Sequence, residues 1–376
     1  MPFSMKKVGV IGAGIIGLSI AFYLKKNNFD VIILEKGKAG QEASKDAAGM
    51  LAAQSEFDHY ENFMEICIKS RDMYEDYCND IKEASGMDPE YQKSGMIRPA
   101  ITEENVKHLK YNYEWQQKKS FEIGLLDGKE LRGIEHSLSE NIISGLYTKN
   151  DGQVNNQKLV RALIQANKNN NIEIIENCEV KEYLIEDNKV KGVKTTNENY
   201  NADFVINAAG AWSSLISTGL FPEFDVFPIH GQIVCLQANK KILDKVIFAS
   251  ILGKGGYVVP RLDNSIILGS TMEEIGFEKR ITDEGINSII KNCSDVVPEF
   301  KNLEIKETWS GLRPFASDKL PIIGKTKIKN LILATAHGRN GILLAPITAK
   351  AITEIIVNDN IIPEIRDFNL DRFNSQ

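Results

Sequence analysis

The sequence predicts an α/β fold, and three observations predict it. Residues 7–35 read as strand, glycine turn, helix, strand, which is the opening of a parallel unit. The same alternation resumes far along the chain, between 156 and 206. Residues 256–272, "GYVVPRLDNSIILGSTM", read differently, as two alternating strands around a turn at Leu262, Asp263 and Asn264. A chain of 376 residues leaves room for two domains, or for one with large insertions.

The first strand is Val8, Val10 and Ile11, apolar enough to be buried on both faces. "GAGIIG" follows, with glycines at 12, 14 and 17, and Ile15 to Lys26 has helical character. Val31 to Leu34 is the second strand and ends at Glu35. Gly-x-Gly-x-x-Gly alone is weak evidence. Here it follows a strand, opens a helix and precedes an acid by about 20 residues, the setting in which it binds a dinucleotide. Gly12 permits the tight turn, Gly14 lets the backbone approach a pyrophosphate, and Gly17 allows close helix–strand packing. The helix N-terminus favours phosphate, and Glu35 can accept from a ribose diol. The alternative, a structural glycine turn with a solvated acid, fits this joint pattern poorly.

After Glu35 and Lys36 comes "GKAGQEASKDAAGMLAAQ", with Ala43, Ser44, Ala48, Gly49 and Met50. Small side chains over that length let backbone lie against a flat ligand. An amphipathic helix is predicted over about 61–80, and a polar, irregular region over 85–146. The alternation then returns as a helix at 156–168 and strands at 172–175, 179–184 and 204–206, the last leading into "NAAGAWS".

Composition narrows the function. With 43% hydrophobic and 26% charged residues the chain resembles an ordinary soluble protein. A net charge of −6 argues against a nucleic-acid binder. Five scattered cysteines, odd in number and without C-x-x-C, suit a reducing cytoplasm better than a disulfide framework or a zinc site. The uncharged run Val8 to Leu24 behind Lys6 and Lys7 has the look of a signal peptide. Its glycines and the strand that follows argue for the dinucleotide reading, so no membrane segment is expected. No Ser-His-Asp set and no metal cluster is evident.

"VGVIGAGIIGLSIAFYL…ILEK", "AAGML", "VINAAGAWS", "GYVVPR", "WSGLRP" and "HGRNGILLAP" occur in that order. The chain therefore resembles the FAD-dependent amino-acid oxidases of the D-amino-acid oxidase and sarcosine oxidase superfamily, and within it the glycine oxidases of thiamine thiazole synthesis. The resemblance runs over nearly the whole chain and is weakest at about 85–145. It implies a Rossmann-like FAD domain from residues 1–86, 147–218 and 308–376. It also implies a substrate domain from 87–146 and 219–307, built on a large antiparallel or mixed sheet.

The implied reaction removes a hydride from an amine α-carbon and passes it to the flavin, with oxygen as final acceptor and hydrogen peroxide as product. The implied substrates are glycine, sarcosine, N-ethylglycine and D-alanine. Arg313, in the mostly apolar stretch "WSGLRPFASDKLPIIG", would clamp the carboxylate with its planar fork. Read from the residues alone, an internal ion pair is as good an account of it. Arg339 would add positive field, Tyr257 would hydrogen-bond the carboxylate, and Met272 would line the pocket. Tyr257 and Met272 equally suit ordinary packing.

Flavin contacts are implied for Ile15, Ile16, Val180, Ala209, Gly210 and Trp212, and for the run His337, Gly338, Arg339, Asn340, Gly341, Ile342 and Leu343. Pro346 suits the first turn of the next helix, whose dipole can stabilise charge on reduced flavin. His337 and His230 are expected to be structural or flavin-contacting rather than general bases. Gly255 and Gly256 stand where some relatives carry larger residues, which implies a wider or more mobile pocket mouth. No cysteine follows Arg313, so the FAD is expected to be noncovalent. A homo-oligomer, a tetramer by resemblance, is also implied. The rival readings are a D-amino-acid or sarcosine dehydrogenase of the same superfamily, an NAD-dependent dehydrogenase, and a flavin-binding protein without turnover.

Overall fold

A computed structural model describes residues 5–221, 224–249 and 256–375, so the expectation about Gly255 lies outside the described residues. Two large sheets dominate the α/β architecture. The six-stranded sheet runs in the order Ile322–Lys325, Leu331–Thr335, Phe204–Asn207, Lys7–Ile11, Asp30–Leu34, Glu173–Ile175. Its strands pair in parallel except for Ile322–Lys325, which lies antiparallel at one edge. Val8 and Val10 are fully buried, as the apolar run predicts for a strand covered on both faces. The helices Ile15–Lys26, Asn156–Asn169 and Ala345–Asn358 pack together against it.

The eight-stranded sheet is mixed and contains the predicted hairpin. Tyr257–Pro260 and Ser265–Gly269 pair antiparallel, with Tyr257 opposite Gly269. Its longest ladder joins Val226–Gln237 to Glu304–Ala316, with Arg313 opposite Ile229 and Gly231 opposite Gly311. A separate three-stranded sheet holds Val180–Glu186, Lys189–Thr195 and Asn199–Asn201. The strand expected at 179–184 therefore belongs to an antiparallel meander and does not continue the parallel unit.

Two further stretches differ from expectation. The helix predicted over 61–80 is two helices, Asn62–Asp72 and Tyr74–Ser85, broken at Met73. The region at 85–146 is not irregular. It supplies the strands Met96–Ala100, Gly124–Asp127 and Ser144–Thr148 to the large sheet, together with the helix Glu103–Lys118. That helix buries Asn105, Leu109, Asn112 and Gln116, an i, i+4, i+7 face that is mostly polar. Gln116 accepts from Gln54 at 2.9 Å, and Asn112 accepts from the Trp115 indole at 2.8 Å. Hydrophobic periodicity cannot reveal a face held by amide hydrogen bonds.

Candidate active site

A cavity of about 1220 Å³ lies between the two large sheets. That exceeds the roughly 300–1,000 Å³ usual for a drug-sized ligand. Its first wall is the glycine turn. Gly12 has φ +100° and donates to Leu34 O at 2.8 Å. A Cβ there would lie 2.5 Å from the Ala208 carbonyl oxygen, so only glycine fits. Gly14 caps the helix Ile15–Lys26 without a side-chain bond, so the helix presents its N-terminus to the cavity. Gly17 sits behind the turn, where any Cβ would strike the Gly12 carbonyl.

Glu35 is 8% exposed and spans the turn. Its Oε2 accepts from Ala13 N at 2.8 Å and its Oε1 from Gly37 N at 2.9 Å. Each oxygen keeps a lone pair for a further donor such as a ribose hydroxyl. Ser44 closes the same corner, its Oγ accepting from Ile15 N at 2.9 Å.

The small-residue segment is held from outside by residues that the sequence did not single out. Asn156 donates to the Ser44 and Lys45 carbonyls at 2.9 and 2.8 Å. Arg261 donates to Ala48 O at 2.7 Å and to Asn156 Oδ1 at 3.0 Å. Asp46 lines the cavity between them and is also new. Burial raises its carboxyl to about 6, although Lys279 lies 3.3 Å away and opposes the shift. The only signal for Asp46 was its place, with Glu42, as an acid in a run rich in small residues.

The other wall carries Arg313. Its guanidinium lies against Gly231, where a Cβ would collide with both terminal nitrogens. Nη2 donates to Ser270 Oγ at 2.6 Å and Nη1 to Thr271 O at 3.3 Å. Both acceptors are neutral, and among the described residues no carboxylate forms an ion pair with Arg313. Burial lowers its pKa, as does the nearby Arg339 charge, while the Tyr257 phenol opposes them. Tyr257 faces the same space, its ring occupying the room that a side chain at Gly269 would need. Burial raises its pKa, and the Arg313 charge partly reverses this.

Arg339 pairs with Glu56, a cavity-lining acid that the sequence reading did not name. Met272 lies on the cavity rim and is 57% exposed. His337 is buried 3.1 Å from Thr348 Oγ1, and burial lowers its pKa to about 3, so it stays neutral. His230 is buried with Nε2 3.0 Å from the Arg280 carbonyl. Trp212 has the Lys36 ammonium 3.1 Å from its ring centroid.

The cavity thus gathers the sequence-predicted residues from all three regions of the chain. Ile15, Ile16, Lys36, Ala43, Ala48, Gly49, Met50, Val180, Ala209 and Gly210 lie on its wall, as do Gly338, Asn340, Gly341 and Ile342. Gly17 and Leu343 are the two that lie off it. Among the described residues no group of three or more His, Cys, Asp or Glu could hold a metal ion, and no helix is long and apolar enough to cross a membrane.

The profile of the family described as FAD dependent oxidoreductase matches residues 7–355. The chain is 30% identical over 367 residues to the glycine oxidase of Geobacillus kaustophilus strain HTA426, covering 97% of this chain and 96% of that one. It is 31% identical over 371 residues to the bifunctional protein ThiO/ThiG of Trichormus variabilis. That match covers 99% of this chain but 56% of the relative, so the chain spans about half the length of the bifunctional proteins it matches. The crystal structure of glycine oxidase from Bacillus cereus ATCC 14579 superposes with a TM-score of 0.90 at 31% identity, covering 97% of this chain and 98% of that one.

Proposed function

The chain belongs to the FAD-dependent oxidoreductase family, and on that premise we propose that it is an oxidase of glycine and other small amino acids. The observation that carries the substrate class is Arg313. A half-buried guanidinium whose hydrogen bonds go only to neutral acceptors is a site prepared for an anion. A monocarboxylate fits its planar fork, with the Tyr257 phenol as a further donor. Arg339 already has Glu56 as its partner, so it adds less positive field than its position alone suggests.

The cavity suits FAD. Gly12 leaves backbone room, the helix N-terminus faces a pyrophosphate with only its Ile15 N–H taken by Ser44, and Glu35 keeps acceptors for a ribose. FAD, when bound, supplies the two-electron acceptor and the route to oxygen. The residues do the rest: Arg313 and Tyr257 orient the carboxylate, and no side-chain base is required for a neutral amine. The substrate loses two electrons and two protons, oxygen becomes hydrogen peroxide, and the imine hydrolyses to a 2-oxo acid and ammonia or an amine. Sarcosine, N-ethylglycine and D-alanine are included in the proposal, as are a supply role in thiamine thiazole synthesis and a cytoplasmic homo-oligomer. The division into a cofactor domain and a substrate domain belongs to the same reading.

The test is an oxygen-consumption and peroxide screen over small amino acids of both hands. Glycine, sarcosine or D-alanine should support both signals. Flavin reduction without oxygen uptake would make the protein a dehydrogenase, and no reduction by any amino acid would end the proposal. The FAD is held noncovalently in this reading, since 309–324 contains no cysteine. Acid precipitation should release the yellow colour into the supernatant, and colour kept in the pellet would show a covalent link.

A further inference from the structure

Residues 273–282 leave the eight-stranded sheet and return to the same strand. Glu273 exchanges two backbone bonds with His230, at 2.9 and 3.0 Å. Thr282 N donates to Gln232 Oε1 at 2.8 Å, and Gln232 Nε2 donates to Glu273 Oε1 at 3.0 Å. One glutamine side chain therefore closes the base of the loop. The apex reaches the cofactor segments. Phe277 packs on Trp212 with ring centroids 5.3 Å apart and planes tilted by 33°. Lys279 Nζ lies 2.7 Å from Glu42 Oε2 and 3.3 Å from Asp46 Oδ2.

Trp212, Glu42 and Asp46 line the cavity, whereas Phe277 and Lys279 stand outside that wall. Phe277 is 43% exposed and the Lys279 side chain 36% exposed. A base closed by several hydrogen bonds and an apex held by one half-exposed ring and one half-exposed lysine, which reaches the part-exposed Glu42 and the buried Asp46, make a strap that opens at one end only. The exposed Lys279–Glu42 pair and a single aromatic contact are weak, so the apex is the end that opens first.

We infer that Phe277 and Lys279 are positioning residues for the dinucleotide, holding Trp212, Glu42 and Asp46 in place and slowing FAD release. The inference rests on FAD as the cofactor. The test measures FAD release from the holoprotein by flavin fluorescence, for the unmodified chain, Phe277→Ala, Lys279→Ala and the double variant. Each single change should speed release roughly threefold to tenfold, and the two should multiply. The Lys279 effect should shrink at high salt. Phe277→Tyr and Lys279→Arg should restore slow release and keep the apoprotein Tm of the unmodified chain. If the unmodified chain holds FAD and the double variant releases it at the same rate, the strap has no such role. Faster release with an equal loss of apoprotein Tm would make these residues merely structural and also overturns the inference. A chain that binds no FAD would overturn the cofactor assignment and the inference together.

Discussion

Glu35 and Arg313 are opposite charges on the wall of one cavity, and the protein treats them differently. Glu35 takes two backbone N–H groups from its own turn, at Ala13 and Gly37. Arg313 donates only to a hydroxyl and a carbonyl, with no ion-paired acid among the described residues. The acid therefore does part of its work without ligand, by tying the glycine turn to the second strand. The arginine feels the Glu56 charge without bonding to it, and in the proposed reading a substrate carboxylate completes its set of partners. The first end of the cavity is held by its own backbone, and the second is, on the proposed function, the end that takes the substrate.

Removing the arginine should produce the largest effect. Arg313→Ala should keep its FAD and lose roughly 30- to 5,000-fold in kcat/KM for glycine, the equivalent of about 2–5 kcal/mol. A simple amine without a carboxylate should lose far less. Arg313→Lys should recover part of the activity, because it restores charge without the fork. Anaerobic flavin reduction with both substrates reads this directly. Equal losses for the two, or loss of FAD, would make Arg313 as structural as Glu35 and dissolve the comparison.

The next effect belongs to Glu35. Glu35→Ala should weaken FAD binding by about 1.5–3 kcal/mol through lost ribose contacts. It should also lower the apoprotein Tm, because the Ala13 and Gly37 amides lose their acceptor. Fluorescence titration and thermal denaturation separate the two. An unchanged apoprotein Tm would mean that the acid serves the ligand alone, like Arg313.

Asp46 supplies a smaller test, in which a charge is a burden without ligand. Its folded carboxyl sits at about 6, against about 3.9 when unfolded. The folded state binds the proton more tightly, so this group lowers stability as pH rises from about 4 to 6, and its full cost applies above that. Asp46→Asn should therefore stabilise the apoprotein by about 1–3 kcal/mol at pH 7–8 and by nothing near pH 4. Melting curves across that range decide it, and a pH-independent difference would refute the burial account.

The legible parts of this protein are the contiguous ones. Gly12, Gly14, Gly17 and Glu35 lie within one strand–turn–helix–strand unit. Their chemistry follows from spacing, because the backbone itself makes the site. Arg313 and Tyr257 were legible through their motifs, but their surroundings were not. Whether Arg313 had an internal partner depended on Ser270 and Thr271, more than forty positions away. Arg261 holds Ala48 across an even longer separation. The polar buried face of Glu103–Lys118 and the strands at 96–148 gave no periodic signal, since their partners are amides and distant strands.

The sequence by itself determined the dinucleotide turn, the parallel strands around it and the presence of a permanent cation at position 313. Each is set by residues within a few positions of one another. Only the tertiary structure decided that the cation has no ion-paired acid among the described residues, that Glu56 holds Arg339, and that Asp46 pays a desolvation cost. Those outcomes depend on which groups long-range strand pairing brings together, and on how much water the packed walls leave between them.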